Sequence, residues 1–404
     1  MDFISGGVCA PKGFKASGVH CGIRKNKSKR DLALIYSEAE AAAAAVYTKN
    51  LVKGAPILVT KKNLSDGRAR AVICNSGNAN TCNADGVEIA EAMCRLLADE
   101  LKISPADVIV ASTGVIGQPL PIEPIKNGIK PLVAALGNGN SALAAEAIMT
   151  TDTALKEVAA TFEIDGKTCT VGGIAKGSGM INPNMATMLV FITTDAAITP
   201  EMLTLALKED VKDSFNMISV DGDTSTNDMV SVMANGTAQN KLIDKKNAAY
   251  RKFKEALFEV TKYLCRAIAK DGEGATKLIE CRVFGAASKK TARTVAKAVI
   301  SSSLVKSAIF GADANWGRIL CAAGYSGADI DVEKVDVSFE SSAGAVAVCK
   351  SGASIDFDEP LAKAVLSESE IIINVKLNAG KASATAWGCD LTEAYVKINS
   401  GYRT

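Results

Sequence analysis

The chain has 404 residues, too many for one compact core, so we expect two or three structural units. Its hydrophobic share of 48% and charged share of 22% are typical of a soluble globular protein. No apolar stretch reaches the length of a membrane span. The 46 basic and 44 acidic residues give a net charge of +2, which argues against a nucleic acid or a membrane surface as partner.

In chain order, the first predicted elements are strands alternating with helices. Apolar runs that end in small residues predict buried strands over 71–75 and 108–112. Between these strands, apolar residues on one helical face predict a helix over 87–101. The alanine-rich stretch 141–149 predicts another helix.

The second half begins with helix signals and ends with strand signals. Thr199 followed by Pro200 is typical of an N-cap, and it predicts a helix that continues to residue 211. The longest helix is predicted over 246–269. Strands follow, and the turn 378–381 predicts that the last two form a hairpin. The predicted strands cover 335–340, 345–350, 371–377 and 383–389.

These patterns predict an α+β fold with mixed sheets. The change of pattern near residue 290 predicts a larger catalytic region over 1–289 and a smaller α/β domain over 290–404.

The cysteines and the single histidine restrict the chemistry. Eleven cysteines are scattered without a C-x-x-C pair, and residues 1–22 have no signal-peptide pattern, so we expect reduced thiols and a cytoplasmic protein. Any Ser-His-Asp or Cys-His system would require His20, which we expect to be structural. Without further histidines or clustered cysteines, we expect no metal site.

The segment 176–192 is the most unusual part of the sequence. A loop rich in glycine, with Pro183, runs directly into an apolar strand, and Thr187 stands at the junction after the small Ala186. A threonine hydroxyl here can attack the preceding carbonyl, and cleavage then provides an α-amine that acts as its base. Thr187 is also consistent with an ordinary β-branched residue at a strand start.

Two further loops carry candidate site residues. The loop 111–117 follows a predicted strand, and its small residues suit an oxyanion hole, although a simple strand-to-helix turn is the alternative. In the loop 271–277, Glu273 stands between glycines and can bind a ligand amine. This loop lacks the P-loop pattern, and its acidic residues disfavour phosphate.

Two other segments are predicted to be structural. The stretch 221–228 is rich in Asp, Ser and Thr but lacks EF-hand spacing, so we expect a turn held by side-chain hydrogen bonds rather than a calcium site. The basic run 24–30 contains no aromatic residues and is predicted to be a solvated turn rather than a nucleic-acid patch.

Several strings, in order from end to end, make the chain closely similar to the ornithine acetyltransferase family, also called glutamate N-acetyltransferase. These strings are Gly7-Val8-Cys9-Ala10-Pro11-Lys12-Gly13-Phe14, Cys74-Asn75-Ser76-Gly77-Asn78-Ala79-Asn80, Ser112-Thr113-Gly114-Val115-Ile116-Gly117, Met149-Thr150-Thr151-Asp152-Thr153, the stretch 176–189, Asp223-Thr224-Ser225-Thr226-Asn227-Asp228, Asp313-Ala314-Asn315-Trp316-Gly317-Arg318 and the C-terminal stretch 395–404.

The resemblance implies a fold of the N-terminal-nucleophile type and a role for each matching residue. It implies that Thr187 is the nucleophile, that the chain cleaves itself between Ala186 and Thr187, and that Thr113 and Gly114 form the oxyanion hole. The resemblance also implies a set of substrate-binding residues, to which Thr187 belongs. The other members are Thr150, Lys176, Glu273, Asn399 and Thr404.

The resemblance further implies acetyl transfer from N2-acetylornithine to glutamate, with release of ornithine, in the cyclic arginine pathway. No bound cofactor is expected, and acetyl-CoA is a candidate co-substrate. The implied assembly is a heterotetramer of two α and two β chains cut from one precursor. Two alternatives remain open, an N-terminal-nucleophile amidohydrolase or aminopeptidase, and an intact binding protein without enzymatic activity.

Overall fold

The computed structural model describes residues 1–182 and 188–401. Of the predicted site residues, Ala186, Thr187 and Thr404 lie outside these ranges.

Two sheets organise the described residues. The larger has nine strands, in the order β1-β6-β7-β8-β10-β3-β4-β5, with β2 also paired to β3. These strands are β1 (Asp2–Ile4), β2 (Phe14–Val19), β3 (Leu32–Tyr47), β4 (Arg68–Asn78), β5 (Val108–Val115), β6 (Lys156–Ile164), β7 (Lys167–Lys176), β8 (Leu189–Thr194) and, after β9 of the other sheet, β10 (Met229–Ala234).

The smaller sheet has seven strands in the order β14-β13-β12-β15-β11-β16-β9. They are β9 (Ile218–Ser219), β11 (Leu278–Ala286), β12 (Asp336–Ser341), β13 (Gly344–Lys350), β14 (Ala353–Ser354), β15 (Glu370–Lys376) and β16 (Ala382–Cys389). Strands β9 and β11 precede residue 290, so this sheet takes strands from both sides of the predicted domain division.

The helices are α1 (Ala55–Asn63), α2 (Gly86–Leu101), α3 (Ile122–Ala134), α4 (Ser141–Ile148), α5 (Pro200–Asp210), α6 (Ala248–Lys270), α7 (Lys289–Ser301), α8 (Ser303–Phe310), α9 (Trp316–Gly324), α10 (Glu359–Ser367) and α11 (Glu393–Asn399). With both sheets containing parallel and antiparallel pairs, the predicted α+β class with mixed sheets is confirmed. Within the described part of the chain, no helix has both the length and the apolarity needed to cross a membrane.

The longest helix, α6, connects the two sheets. The Asn247 side chain caps its first turn by accepting a hydrogen bond from the backbone N–H of Tyr250, 2.9 Å away. Its predicted apolar stripe is buried and packs on β6 and β7 of the larger sheet and on β11 and β16 of the smaller. The sheets therefore share one continuous hydrophobic core around α6.

The predicted N-cap of α5 is also confirmed, because the Thr199 hydroxyl oxygen accepts a hydrogen bond from the Met202 N–H at 3.3 Å. The predicted hairpin at 378–381 is wrong. Strand β11 lies between β15 and β16, parallel to the first and antiparallel to the second. The turn crosses the end of β11, where the Leu377 and Ala379 N–H groups donate to backbone carbonyls of that strand. Strand β11 is suited to a central position in the sheet because its alternate residues are fully buried.

Candidate functional site

The predicted site residues that the structure describes meet in one cavity of about 130 Å³. The chain returns to this cavity at Met188, which directly follows Thr187 in the sequence. The predicted residues that line it are Thr113, Gly114, Thr150, Lys176, Glu273 and Asn399.

Thr113 and Gly114 lie at an irregularity where parallel strands β4 and β5 end. The pairing shifts register next to Gly77 and Gly114, as in a β-bulge. Gly114 has φ +133°, and a Cβ there would collide with the backbone of Gly77. Only glycine therefore fits at this position, which brings the backbone of β5 to the cavity wall.

Asn227 holds the ends of β4 and β5 together from the loop before β10. Its side-chain amide donates to the carbonyls of Ala79, at 2.6 Å, and Ser112, at 3.0 Å. Its amide oxygen accepts hydrogen bonds from the hydroxyls of Thr81 and Thr226. Sequence reasoning assigned this loop a structural role without recognising that it fixes the wall beside Thr113.

Lys176, the last residue of β7, belongs to a buried ionic network. Its Nζ lies 3.8 Å from the carboxylate of Asp152, which Lys156 Nζ approaches to 2.7 Å. Asp152 also accepts hydrogen bonds from the N–H groups of Thr150 and Gly177. Burial raises the pKa of Asp152, but the two lysines outweigh this effect and hold it well below its ordinary value. The network thus fixes a lysine ammonium at the cavity wall.

Lys156 is the innermost member of this network, with a side chain 1% exposed, and it also pairs with Asp271. Its contact with Asp152 spans four positions outside any helix, and its contact with Asp271 spans 115. No sequence pattern indicated this network.

Glu273 supplies the opposite charge to the cavity. Its backbone N–H donates to the carbonyl of Ser178 at 2.8 Å, and its carboxylate accepts a hydrogen bond from Asn399 Nδ2 at 2.8 Å. Gly179 lies against the carboxylate, where a Cβ would collide with it. An ammonium from Lys176 and a carboxylate from Glu273 therefore line the same small cavity, as recognition of a charged amino acid requires.

A carboxylate from another loop holds the chain just before residue 183. Asp221 accepts hydrogen bonds from the N–H groups of Met180, at 2.5 Å, and Ile181, at 2.9 Å. The Tyr395 hydroxyl donates to it from α11 at 3.3 Å. The Asp223 N–H also bonds Asp221, which confirms the predicted side-chain turn. Burial raises the pKa of the Asp221 carboxyl.

His20 and most cysteines lie away from this chemistry. His20 Nδ1 is 2.9 Å from the carbonyl of Lys29 and 3.3 Å from the Asp31 carboxylate, which confirms its structural role. All eleven cysteines are free, and eight of them are buried. In residues 1–182 and 188–401, no group of three or more His, Cys, Asp or Glu side chains is arranged to hold a metal ion.

Comparison with known proteins identifies the family of the chain. The model of the ArgJ family matches residues 15–404. The chain belongs to the ArgJ family. It is 53% identical, over the full length of both chains, to the arginine biosynthesis bifunctional protein ArgJ of Caldanaerobacter subterraneus subsp. tengcongensis.

Two solved structures are similar to the chain. The arginine biosynthesis bifunctional protein from Bacillus halodurans is 47% identical with a TM-score of 0.50, and the match covers 54% of this chain and 100% of that one. An ornithine acetyltransferase from Mycobacterium tuberculosis, in complex with ornithine, is 40% identical with a TM-score of 0.42, and the match covers 46% and 99% of the two chains.

Proposed function

We propose that the chain is a self-processing acetyltransferase of arginine biosynthesis, which moves the acetyl group of N2-acetyl-L-ornithine to L-glutamate. One observation carries this proposal: Lys176, Glu273 and the end of β5 at Thr113 and Gly114 line the cavity that the chain re-enters immediately after Thr187. Membership of a family whose relatives are named for arginine biosynthesis supports the same pathway.

The charges in the cavity suit N2-acetylornithine. The Lys176 ammonium pairs with the α-carboxylate of the substrate, and the Glu273 carboxylate pairs with its side-chain amine. These two contacts bring the acetyl carbonyl to the end of β5, where the Thr113 hydroxyl and the Gly114 N–H stabilise the oxyanion.

The transfer proceeds in two half-reactions through Thr187. Its hydroxyl oxygen attacks the acetyl carbonyl and gives its proton to the α-amine of the same residue, which passes it to the departing nitrogen of ornithine. The acetyl group is then an ester on Thr187. The α-amine of glutamate attacks this ester, the C–O bond breaks, and the proton returns to the threonine oxygen.

Cleavage between Ala186 and Thr187 prepares this nucleophile, because only a free amine can act as its base. Residues 187–404 number 218, and 218 of 404 is 54% of the chain. The match to the Bacillus halodurans chain covers all of that chain and 54% of this one. A separate chain of that size supports a two-chain product.

The proposal includes four further features. The mature enzyme is a cytoplasmic heterotetramer of two α and two β chains, and its free cysteines are consistent with a reducing compartment. Its chemistry needs no bound cofactor. Acetyl-CoA is a second acetyl donor to Thr187.

The test combines intact mass under denaturing conditions with N-terminal sequencing. Scaling 42.0 kDa by 186/404 gives chains of about 19 and 23 kDa, and the larger should begin at Thr187. Thr187→Ala should abolish both cleavage and transfer, whereas Thr187→Ser should retain part of each. An intact 42.0 kDa chain with normal turnover would contradict the proposal. Release of acetate without formation of N-acetylglutamate would instead identify a hydrolase.

A further inference from the structure

A cavity of about 710 Å³ lies apart from the site cavity and shares no lining residue with it. Four cations line it, and its described lining residues include no Asp or Glu. We call it the basic cavity. The four cations are Lys212, Lys290, Arg293 and Lys297. A cavity with this charge is expected to attract an anion.

Helix α7 forms one wall of the basic cavity with a mostly polar face. Its lining residues recur at every third or fourth position, which places them on one side of the helix. They are Lys290, Arg293, Thr294, Lys297, Ala298 and Ser301. Lys290 and Lys297 are separated by about 10 Å along the helix axis. A ligand that meets both charges therefore needs at least two anionic groups.

Two of the cations carry a charge that no carboxylate neutralises. Lys212 and Lys290 are exposed, and neither forms an ion pair with any residue that the structure describes. Arg293 instead donates to both oxygens of the Asp213 carboxylate, at 2.8 Å each. Asp213 also pairs with Lys289, so this one carboxylate faces two cations. The positive charge around the cavity therefore exceeds the negative charge.

Lys297 and Ser301 add polar groups that an anionic ligand can use. Lys297 donates to the carbonyl of Ile218, and burial lowers the pKa of its ammonium to about 7. A bound anion would oppose this effect, because it stabilises the protonated lysine. The buried Ser301 hydroxyl oxygen has no hydrogen-bond partner among the described residues. Buried hydroxyls rarely lack a partner, and an oxygen of the ligand would accept a hydrogen bond from this one.

The same two segments of the chain line both the basic cavity and the site cavity. Asn182 and Thr224 line the basic cavity. Met180 and Ser225, one or two positions away in the chain, line the site cavity. The segments are joined, because the Thr224 hydroxyl donates to the Asn182 carbonyl at 2.9 Å and Thr224 pairs with Ile181 in a β-bridge. A ligand that contacts Asn182 and Thr224 would therefore restrain the wall of the site cavity as well.

We propose that the basic cavity binds a small molecule with two or more phosphate or carboxylate groups, and that this ligand strengthens amino-acid binding in the site cavity. The ligand fixes the wall that contains Asn182 and Thr224, so less ordering of this wall accompanies binding of the amino acid. This inference rests on the proposed function, since it concerns the same substrate site. Because such coupling is reciprocal, the amino acid must strengthen binding of the anion by the same factor.

The test measures binding to the fully cleaved enzyme by calorimetry at physiological ionic strength. The anion probes are inorganic tripolyphosphate and citrate, and inorganic phosphate is the probe with a single anionic group. Ornithine, a product of the proposed reaction, is the probe for the site cavity. The variant is Lys212→Ala/Lys290→Ala. Its matched control, Lys61→Ala/Lys130→Ala, removes two exposed lysines that line neither cavity.

We expect tripolyphosphate or citrate to bind the wild type and the control about tenfold more tightly than inorganic phosphate, and the double variant to lose about tenfold of that affinity. The probe that binds more tightly identifies the anionic group of the ligand. In the wild type, saturating anion should lower the Kd of ornithine by about fivefold or more, and saturating ornithine should lower the Kd of the anion by the same factor. Without the anion, the double variant should bind ornithine normally.

Three results would overturn the inference. These are wild-type enzyme that binds neither tripolyphosphate nor citrate, a double variant that binds them as tightly as the control, and a Kd of ornithine that the anion leaves unchanged. Failure of the proposed function is distinguishable, because the wild type would then transfer no acetyl group from N2-acetylornithine to glutamate, whereas anion binding is measured without any transfer. Circular dichroism and the extent of cleavage verify that each variant is folded.

Discussion

The side-chain amide of Asn399 donates a hydrogen bond to the carboxylate of Glu273 at 2.8 Å, although 126 positions separate the two residues. Asn399 ends helix α11 and also bonds the carbonyl of Tyr395 in that helix. The last described helix thus fixes the orientation of the carboxylate in the cavity.

Glu273→Gln should act mainly on substrate binding. A neutral amide cannot pair with the side-chain amine of N2-acetylornithine, and that contact is present before and during the reaction, so KM should rise about tenfold with a smaller change in kcat. Asn399→Ala, which keeps the carboxylate but removes its hydrogen bond, should have a weaker effect of the same kind. Steady-state kinetics on fully cleaved enzyme would measure both. A lowered kcat with unchanged KM in Glu273→Gln would place this residue in the chemical step instead.

Thr113→Ala should act mainly on rate. Its hydroxyl donates to an oxygen that carries charge only in the tetrahedral intermediate, and loss of such a donor costs about a hundred- to a thousandfold in kcat. KM for N2-acetylornithine should change little, and Thr113→Ser should recover most of the rate. The extent of cleavage must be measured separately, because slow maturation would imitate a catalytic defect. A raised KM with normal kcat would make Thr113 a substrate contact.

Asp152→Asn should destabilise the fold by roughly 3–5 kcal/mol, since it leaves a buried lysine charge only partly compensated. Lys156 is 1% exposed, and among the residues that the structure describes it would retain only Asp271 as a charged partner. Urea unfolding of the uncut Thr187→Ala chain avoids the complication of two separate chains. Glu123→Gln, which removes an exposed pair with Lys126, is the control and should cost less than about 1 kcal/mol. If both substitutions lowered the free energy of unfolding by the same amount, the ionic network would not stabilise the fold more than an exposed ion pair does.

Asp210→Asn should change how stability depends on pH. Burial raises the pKa of the Asp210 carboxyl to about 7, despite hydrogen bonds from Ser214 and Thr261. Between the ordinary carboxyl pKa and this value, the folded state binds the proton and the unfolded state does not. This group therefore makes the protein less stable as pH rises through that window, by up to about 1.4 kcal/mol per pH unit.

The amide side chain of the Asp210→Asn variant does not ionise, so the variant's free energy of unfolding relative to the wild type should increase from about pH 4 to about pH 7 and then level off. Urea unfolding at several pH values, again in the uncut Thr187→Ala chain, measures this difference. Parallel curves for the two proteins would show that Asp210 is not protonated in the folded state at acidic pH.

Local sequence signals predicted single elements well and failed where distant segments meet. The stripe of α6 and the Thr199 cap depend on neighbours in the sequence, and both are confirmed. The hairpin prediction failed because β11, which lies almost a hundred residues earlier in the chain, pairs with both β15 and β16 and separates them.

The same limit applies to the site. The matching stretch 176–189 identified Lys176 and the loop 271–277 identified Glu273, but nothing in their sequence spacing indicated that Asp152 and Asn399 hold them. Those contacts depend on the tertiary fold, so only the structure could reveal them. The roles of Ala186, Thr187 and Thr404 stay predictions, since these residues lie outside the described ranges.

The strand order of the larger sheet determines how the enzyme can refold after it has been unfolded. Strands β8 and β10 come from the part of the chain after residue 187, yet they lie between β7 and β3, which come from the part before it. Cleavage between Ala186 and Thr187 would leave two chains that share one sheet, with β8 and β10 of the second chain inserted between strands of the first. The intact chain would refold on its own at any dilution, whereas the cut enzyme, once unfolded, would have to find its second chain by diffusion. Its recovery after heating should therefore fall as the protein is diluted, while that of the uncut precursor should not.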